Sequence, residues 1–272
     1  MKIINSLDNK TIKLAASLKE ARARKRNRLF LVDGLREVEL ALKSNYKPKF
    51  LFFSQEIVKK STEKNKEILN NFINKNSEII NVSKNVFLKI AYKESPDGFL
   101  AVFEGREFGL KEIVLEKDNL PIIVLESLEK PGNLGAIIRT ASAGGLKNII
   151  LNDCLFDTFN PNVIKASEGL VFFINIIRAT KEETYLFFKK NKLKTFIATT
   201  SAKKNYEQFD FSKNSAIILG SEAKGLSDFW LNSGDRELKI PMRAGVDSLN
   251  VSVSAGILIY EALRKNNFKG LK

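Results

Sequence analysis

Short apolar runs, separated by charged or amphipathic stretches, mark the elements of the first 105 residues. The runs predict β-strands, and the stretches between them have helical spacing. The predicted strands are residues 29–32, 48–53, 79–82 and 99–103, and the predicted helices are residues 11–26, 34–44, 56–76 and 85–92. Such alternation of strands and helices is typical of an α/β sandwich.

The rest of the chain carries longer, continuous apolar runs. Residues 121–125 read PIIVL, which suits a strand buried on both faces of a parallel sheet. Further strands are predicted at residues 148–151, 171–176, 195–198 and 216–219, with helices at residues 135–143, 182–190 and 206–210. These elements predict a parallel α/β domain over residues 119–272, after a small α/β domain over residues 1–105 and a linker over residues 106–118.

A strand end, a polar loop and a helix start follow closely within residues 238–264. Pro241 cannot continue a sheet ladder, and residues 247–250, which read DSLN, offer side chains that cap a helix over residues 252–264. Because a helix N-terminus presents unpaired N–H groups, Ser248 and Asn250 lie where an anionic or polar ligand can be held. The alternative is an ordinary connection with a polar cap.

Composition narrows the possible chemistry. Cys154 is the only cysteine and histidine is absent, so an intramolecular disulfide, the usual zinc sites and histidine-based triads are excluded, and no metal is expected. Cys154 is expected to be a small buried residue after a strand. The chain has no apolar run long enough to span a membrane and no signal peptide, so we expect a cytoplasmic protein with no membrane partner.

The charge of the chain indicates a polyanionic partner. The net charge is +14, and residues 1–110 hold 22 Lys and Arg against 13 Asp and Glu. Five cations fall within seven residues at and just after the end of the predicted first helix: Arg22, Arg24, Lys25, Arg26 and Arg28. A solvated helix face is one explanation, but five cations without an acid repel one another unless phosphates lie nearby, which favours RNA contact.

Two common nucleotide-binding motifs are absent from the sequence. A dinucleotide-binding sheet would fit the strand pattern, but no G-x-G-x-x-G follows Leu125, and no G-x-x-x-x-G-K-[ST] is present. The chain therefore lacks the phosphate-binding fingerprint that a nucleotide-dependent oxidoreductase would need.

Three segments instead resemble the motifs of the SpoU (TrmH-type) family of SPOUT-class RNA ribose 2′-O-methyltransferases. They are residues 126–141 (ESLEKPGNLGAIIRTA), 218–226 (ILGSEAKGL) and 240–252 (IPMRAGVDSLNVS), in the order that the family has. More loosely, FLVDGLREVELAL, KPKFLFF and SPDGFLAVFE resemble the ribosomal-protein-like substrate-binding domain that precedes the catalytic domain in many members. The resemblance implies a deep trefoil knot, S-adenosylmethionine as methyl donor, a ribose 2′-hydroxyl as acceptor, and a homodimer.

Motif positions carry the family's functional residues onto this chain. The catalytic set implied by the resemblance is Asn133, Arg139, Glu222, Ser248 and Asn250. The resemblance implies a pocket for the methyl donor at Leu219, Gly220, Ile240, Met242 and Leu249. Thr199, Thr200 and Ser201 follow a predicted strand and are expected to border this pocket. Arg139 could instead be an exposed helix charge, Asn133 a turn residue or cap, and Met242 and Leu249 plain core. Since a guanidinium hardly loses its proton, we expect Arg139 to orient the acceptor and stabilise the forming alkoxide.

One segment departs from the family pattern. Residues 160–169 carry Lys165 as the basic residue and an acid at Glu168. Lysine binds phosphate as a point charge without the fork of arginine, so the grip on RNA at Lys165 is in question but the reaction is not. Large-subunit (23S) ribosomal RNA is the favoured substrate by family analogy, with transfer RNA, or a non-catalytic RNA-binding or ribosome-associated module, as alternatives.

Overall fold

The computed structural model describes residues 3–58, 62–115 and 120–271. These residues fold into two compact units. The first unit runs up to Arg106 and also includes Asp157–Phe172, while the second comprises Glu107–Phe156 and the residues from Phe173 onward. The return of Asp157–Phe172 to the first unit was not indicated by the sequence, and the predicted domain boundaries stay a prediction.

Strands and helices alternate along the chain. In chain order the strands are β1 (Ile3–Ile4), β2 (Leu29–Asp33), β3 (Pro48–Phe53), β4 (Glu78–Val82), β5 (Phe99–Glu104), β6 (Ile122–Glu126), β7 (Asn148–Asn152), β8 (Asn175–Arg178), β9 (Lys194–Ala198), β10 (Ser215–Leu219) and β11 (Arg236–Leu238). The helices are α1 (Lys10–Ser17), α2 (Ala21–Asn27), α3 (Leu35–Lys43), α4 (Glu63–Asn74), α5 (Lys84–Ile90), α6 (Pro131–Ala143), α7 (Pro161–Ala166), α8 (Lys181–Lys190), α9 (Asp228–Ser233) and α10 (Val251–Lys265).

The first unit is built on a mixed sheet in the order β1-β4-β3-β5-β2. One face packs against apolar side chains of α1 and α5, such as Ile12 and Phe87. The other face carries an aromatic cluster in which Phe30 of β2 stacks on Phe159, with ring centroids 4.1 Å apart. Because successive side chains of a strand point to opposite faces, β2 contributes to both layers.

The second unit is built on a parallel sheet in the order β11-β9-β10-β6-β7-β8. Its central strands β6 and β10 are buried on both faces, as their continuous apolar runs predict. α8 and α9 contribute Phe188 and Trp230 to the core on one face. α6 and α10 pack against each other, with Gly144 at the end of α6 close to Leu263. The predicted parallel α/β fold class is confirmed.

The prediction of a single helix over residues 11–26 is wrong. α1 ends at Ser17, and α2 begins at Ala21. At the break, Arg24 donates from Nη1 to the carbonyl oxygens of Leu18 at 2.8 Å and Lys19 at 2.7 Å. The carbonyls that a helix end leaves without partners are thereby satisfied.

Two other predicted elements also differ in extent. Residues 171–176 do not form one strand, because a 3-10 turn at Leu170–Phe173 precedes β8 and buries Phe172 against the Phe30 ring. The helix predicted over residues 56–76 is found as α4, and residues 59–61 lie outside the described part of the chain, as do residues 116–118 of the predicted linker.

Three further findings concern Cys154, membranes and metals. Cys154 follows β7 and is 5% exposed, as predicted, and burial raises the pKa of its thiol. No helix among residues 3–58, 62–115 and 120–271 is long and apolar enough to cross a membrane. Within the same residues, no group of three or more histidine, cysteine or acidic side chains is arranged to hold a metal ion.

Candidate active site

A cavity of about 450 Å³ opens where β9, β10 and β11 of the second unit end. Ligands of parallel α/β sheets bind at this carboxyl edge of the strands. Seven of the eight residues predicted to surround the donor line it: Thr199, Thr200, Leu219, Gly220, Ile240, Met242 and Leu249. Ser201 does not; it is exposed, and its Oγ lies 2.9 Å from Oγ1 of Thr199.

The segment after β10 forms one wall of this cavity as a tight turn. Ser221 and Gly225 exchange two backbone hydrogen bonds of 3.1 and 3.0 Å. A Cβ atom on Gly220 would lie 2.2 Å from the backbone of Gly225, and Gly225 itself has a φ of +67°. Both glycines are therefore required by the backbone of the wall.

Three polar residues from distant parts of the sequence meet beside the cavity. Asn133, in the first turn of α6, donates from Nδ2 to Oε1 of Glu222, which lines the cavity. Nδ2 of Asn250 lies 3.4 Å from Oδ1 of Asn133 and 3.3 Å from Oε1 of Glu222. Oε2 of Glu222 is buried and has no hydrogen-bond partner among the described residues. It is a buried acceptor that the described residues leave unpaired.

The other two predicted catalytic residues are placed differently. Ser248 is exposed and lines the cavity. Arg139 is exposed on α6, the helix that begins beside the polar cluster, and it is not a lining residue. The structure thus brings together Asn133, Glu222 and Asn250, with Ser248 nearby on the cavity wall.

Sequence reasoning missed several lining residues. These are Ala198, Ser221, Lys224, Gly225, Leu226, Leu231, Leu238, Asp247, Val251 and Ser254. Most of them lie within or next to the three motif segments, so proximity in sequence to the motif positions was the signal that could have found them. Lys224 and Asp247 add one charge of each sign to the cavity wall.

The residues predicted to bind RNA lie in the first unit. Arg22, Lys25, Arg26 and Arg28 are exposed on or directly after α2, as expected for phosphate contact. Lys165 is exposed on α7, beside a small cavity that Asp33 and Tyr92 also line. Glu168, the acid that departs from the family pattern, forms an ion pair of 2.7 Å with Arg36.

Arg24 requires a correction. It is 4% exposed, and its Nε and Nη2 donate to the two carboxylate oxygens of Asp157 at 3.0 and 2.6 Å. A buried guanidinium with a bidentate carboxylate partner is fixed in place and does not face a phosphate. Arg24 is therefore a structural residue, and the predicted phosphate contacts are reduced to the other four cations of the run.

Comparisons with known proteins agree with this geometry. A family model described as the SpoU rRNA Methylase family matches residues 121–260, and one described as the MRM3-like substrate binding domain matches residues 9–101. The 23S rRNA (guanosine(2553)-2′-O)-methyltransferase RlmP of Bacillus subtilis (strain 168) is 28% identical over 260 residues, which cover 96% of this chain and 98% of that protein.

Two solved structures are similar over nearly the whole chain. A crystal structure of an RNA 2′-O ribose methyltransferase has a TM-score of 0.83 at 32% identity and covers 98% of this chain and 100% of its own. An AdoMet-bound rRNA methyltransferase from Sinorhizobium meliloti has a TM-score of 0.87 at 27% identity, with 97% of each chain covered.

The chain belongs to the SpoU rRNA Methylase family. The enzyme class predicted from the motifs is confirmed: this is an S-adenosylmethionine-dependent RNA methyltransferase, in which a SPOUT-type α/β domain follows a substrate-binding domain.

Proposed function

We propose that this protein transfers a methyl group from S-adenosylmethionine to a ribose 2′-hydroxyl of large-subunit (23S) ribosomal RNA. The observation that carries the proposal is the cavity at the carboxyl edge of the parallel sheet, with the cluster of Asn133, Glu222 and Asn250 at its side. Positions from all three sequence motifs converge there.

The residues of the cavity fit the proposed donor. Leu219, Ile240, Met242 and Leu249 offer an apolar surface to a nucleobase, and a volume of about 450 Å³ lies in the usual range for ligand pockets. The Glu222 carboxylate, which lines the cavity and has one unpaired oxygen, supports a polar or cationic ligand group nearby. When bound there, S-adenosylmethionine supplies an electrophilic methyl group on a sulfonium.

The chain's own residues then position the acceptor. Asn133 and Asn250 hold the Glu222 carboxylate in one orientation, which fixes the side of the cavity where the ribose would enter. The role that we propose for Arg139 is to bind the neighbouring phosphate and to stabilise the negative charge that develops on the 2′-oxygen. Alignment of this kind contributes several kcal/mol to a displacement reaction.

Ribosomal RNA is proposed because the first unit matches a substrate-binding domain model over residues 9–101. RlmP, which is similar over nearly its whole length, is named for 23S rRNA. The exposed cations of α2 support a nucleic-acid partner for the same unit. A cytoplasmic location is part of this proposal.

The test is to incubate the purified protein with labelled S-adenosylmethionine and either ribosomal or transfer RNA, and to map 2′-O-methyl groups in rRNA from cells with and without the gene. We expect one ribose in the large-subunit RNA to lose its methyl group without the gene. Label in transfer RNA alone would replace the substrate, and donor binding without transfer to any RNA would indicate a non-catalytic module.

We also propose a homodimer through α10. Val253 and Tyr260 are 49% and 46% exposed, and Ile257 lies between them at helical spacing, so the three form an apolar stripe. Leu258, which also follows helical spacing, is fully buried within its own unit and does not belong to the stripe.

The trefoil knot is a further part of the proposal. The chain leaves β11 at one end of the sheet and returns as α10, which packs on α6 and β10. This return supports a C-terminal segment threaded back through the domain, as the family implies.

A further inference from the structure

Glu126, the last residue of β6, is a buried carboxylate outside the polar cluster. Glu126 is only 3% exposed. Both of its oxygens accept hydrogen bonds from one residue, Ser227: Oε2 from the backbone N–H at 2.7 Å and Oε1 from the hydroxyl at 2.6 Å. A carboxylate buried at this depth is costly unless such partners are present.

The bond joins two loops that build the active site. The β6–α6 loop, residues 127–130, starts directly after Glu126 and leads to Asn133. The β10–α9 loop, residues 220–227, includes Glu222 and the cavity wall and ends at Ser227. The hydrogen bond from Asn133 to Glu222 joins the first turn of α6 to the β10–α9 loop at the cavity, and the Glu126–Ser227 pair is a second connection, between the end of β6 and the end of that loop.

A side chain without acceptors cannot replace this carboxylate. Ser227 directs two donors at Glu126, and each bonds a different carboxylate oxygen. Leucine is similar in size and has no acceptor, so Glu126→Leu leaves both donors of Ser227 without these partners, whereas the amide of glutamine could still bond both the N–H and the hydroxyl oxygen of Ser227. A buried group left unsatisfied in this way costs more than the bond that was lost.

We propose that Glu126 is a positioning residue for the methyl donor: through Ser227 it holds the β10–α9 loop in the conformation that forms the cavity wall. The inference rests on the proposed function, since the cavity must be the donor site. Without this connection the wall is ordered only when the donor binds, and the ordering cost weakens donor affinity. At saturating donor the Asn133–Glu222–Asn250 cluster reforms, so turnover is largely kept.

The test compares Glu126→Leu and Ser227→Ala with the wild type, using calorimetry for S-adenosylmethionine affinity and RNA methylation at saturating S-adenosylmethionine for turnover. We expect each variant to bind S-adenosylmethionine about tenfold more weakly, with maximal turnover reduced by less than about threefold. The double variant should be no weaker than the worse single variant, because both changes remove one connection. Ser227→Thr keeps both hydrogen-bond donors and should bind S-adenosylmethionine normally.

Asp235→Leu is a matched control. Asp235 accepts at Oδ2 from both the backbone N–H and the hydroxyl of a single residue, Thr195, each at 2.9 Å, but at the opposite, amino edge of the same sheet. We expect this variant to melt at a lower temperature with unchanged S-adenosylmethionine affinity. Equal losses of S-adenosylmethionine affinity in Asp235→Leu and Glu126→Leu, or normal affinity in Glu126→Leu, would overturn the proposal.

Two further results keep the inference separate from the proposed function and from misfolding. If the wild type itself binds no S-adenosylmethionine, the proposed function fails rather than the role of Glu126. If Glu126→Leu does not fold, Ser227→Ala and Ser227→Thr carry the same comparison, and equal S-adenosylmethionine affinity in these two overturns the proposal.

Discussion

Asn250 serves two structures through the two ends of its side-chain amide. Its Oδ1 caps α10 by accepting from the backbone N–H of Ser252 at 2.9 Å and from the Ser252 hydroxyl at 2.6 Å. Its Nδ2 points at Asn133 and Glu222. The start of α10 and the polar cluster are therefore fixed by one residue, and substitutions can separate the two roles.

We predict that Asn250→Asp folds normally but loses activity. Aspartate caps helices as well as asparagine, so the free energy of unfolding should change by less than about 0.5 kcal/mol. The variant lacks the Nδ2 donor and brings a second carboxylate beside Glu222, so methylation should fall at least about tenfold. Asn250→Ala loses the cap as well and should cost about 1 kcal/mol of stability in chemical denaturation. Unchanged turnover in Asn250→Asp would limit Asn250 to its capping role.

We predict that Arg139→Ala abolishes methyl transfer and leaves S-adenosylmethionine binding intact, because Arg139 lies on α6 outside the cavity lining and its proposed role is on the side of the acceptor. Single-turnover rates should fall about a hundredfold or more. Calorimetry with S-adenosylmethionine should match the wild type. Arg236→Ala, which removes an exposed arginine at the other edge of the sheet, is the control and should keep full activity. A matching loss of donor affinity in Arg139→Ala would refute the acceptor role.

For single residues, the sequence predicts which side chains surround the cavity better than it predicts the contacts between side chains. Seven of eight predicted donor residues line the cavity because motif positions carry them there directly. The bond between Asn133 and Glu222 spans 89 positions, and that between Arg24 and Asp157 spans 133. No periodicity encodes contacts over such separations. From the sequence alone, Arg24 is not distinguishable from the other four cations of the run, because its partner Asp157 is distant in sequence.

Among the elements, α2 has a divided surface. Arg24 points inward to Asp157 and to the end of α1, while Arg22, Lys25 and Arg26 face solvent. The inward arginine anchors the short helix that carries the outward cations. The basic run therefore combines a structural residue with candidate phosphate contacts.

We predict that changing Arg22, Lys25 and Arg26 to Gln weakens RNA binding regardless of sequence. Each lost phosphate contact should flatten the slope of log affinity against log salt by about one unit. Donor binding and turnover at saturating RNA should be preserved. The control changes Lys190, Lys192 and Lys194, which are exposed on the second unit, to Gln and removes the same charge. An identical salt slope in the two triple variants would support a merely solvated face.

Long or continuous elements are predicted well, and short ones are not. The apolar runs locate β6 and β10 because both faces of these strands are buried. α7 and α9 have six residues each, which is too short for a helical pattern to stand out. The break between α1 and α2 depends on Arg24 reaching two carbonyl groups, and only the folded structure reveals that contact.

For the whole molecule, we predict a dimer that Tyr260→Asp converts to a monomer. A charge placed in the exposed stripe of α10 would be buried at the proposed interface without a partner. Light scattering at micromolar concentration should give twice the chain mass for the wild type and the chain mass for the variant. Leu186→Asp alters another exposed apolar residue, 65% exposed on α8, and should remain dimeric. A monomeric wild type contradicts the proposal.

The order of strands and helices predicts two α/β folds, and the parallel sheet follows from its buried strands. The assignment of Asp157–Phe172 to the first unit does not follow from any pattern. It depends on rings that meet only after folding: Phe159 and Phe172 of this segment pack on Phe30 and Tyr46.

That segment limits how evolution can recombine this protein. A single crossover near residue 106 would transplant Phe30 and Tyr46 without the rings that cover them and Arg24 without its carboxylate. The recipient would gain an incomplete core and a buried, unpaired charge. The substrate-binding unit therefore cannot be exchanged as one continuous segment. A new specificity can be acquired by recombination only when two separate stretches of the gene are exchanged together.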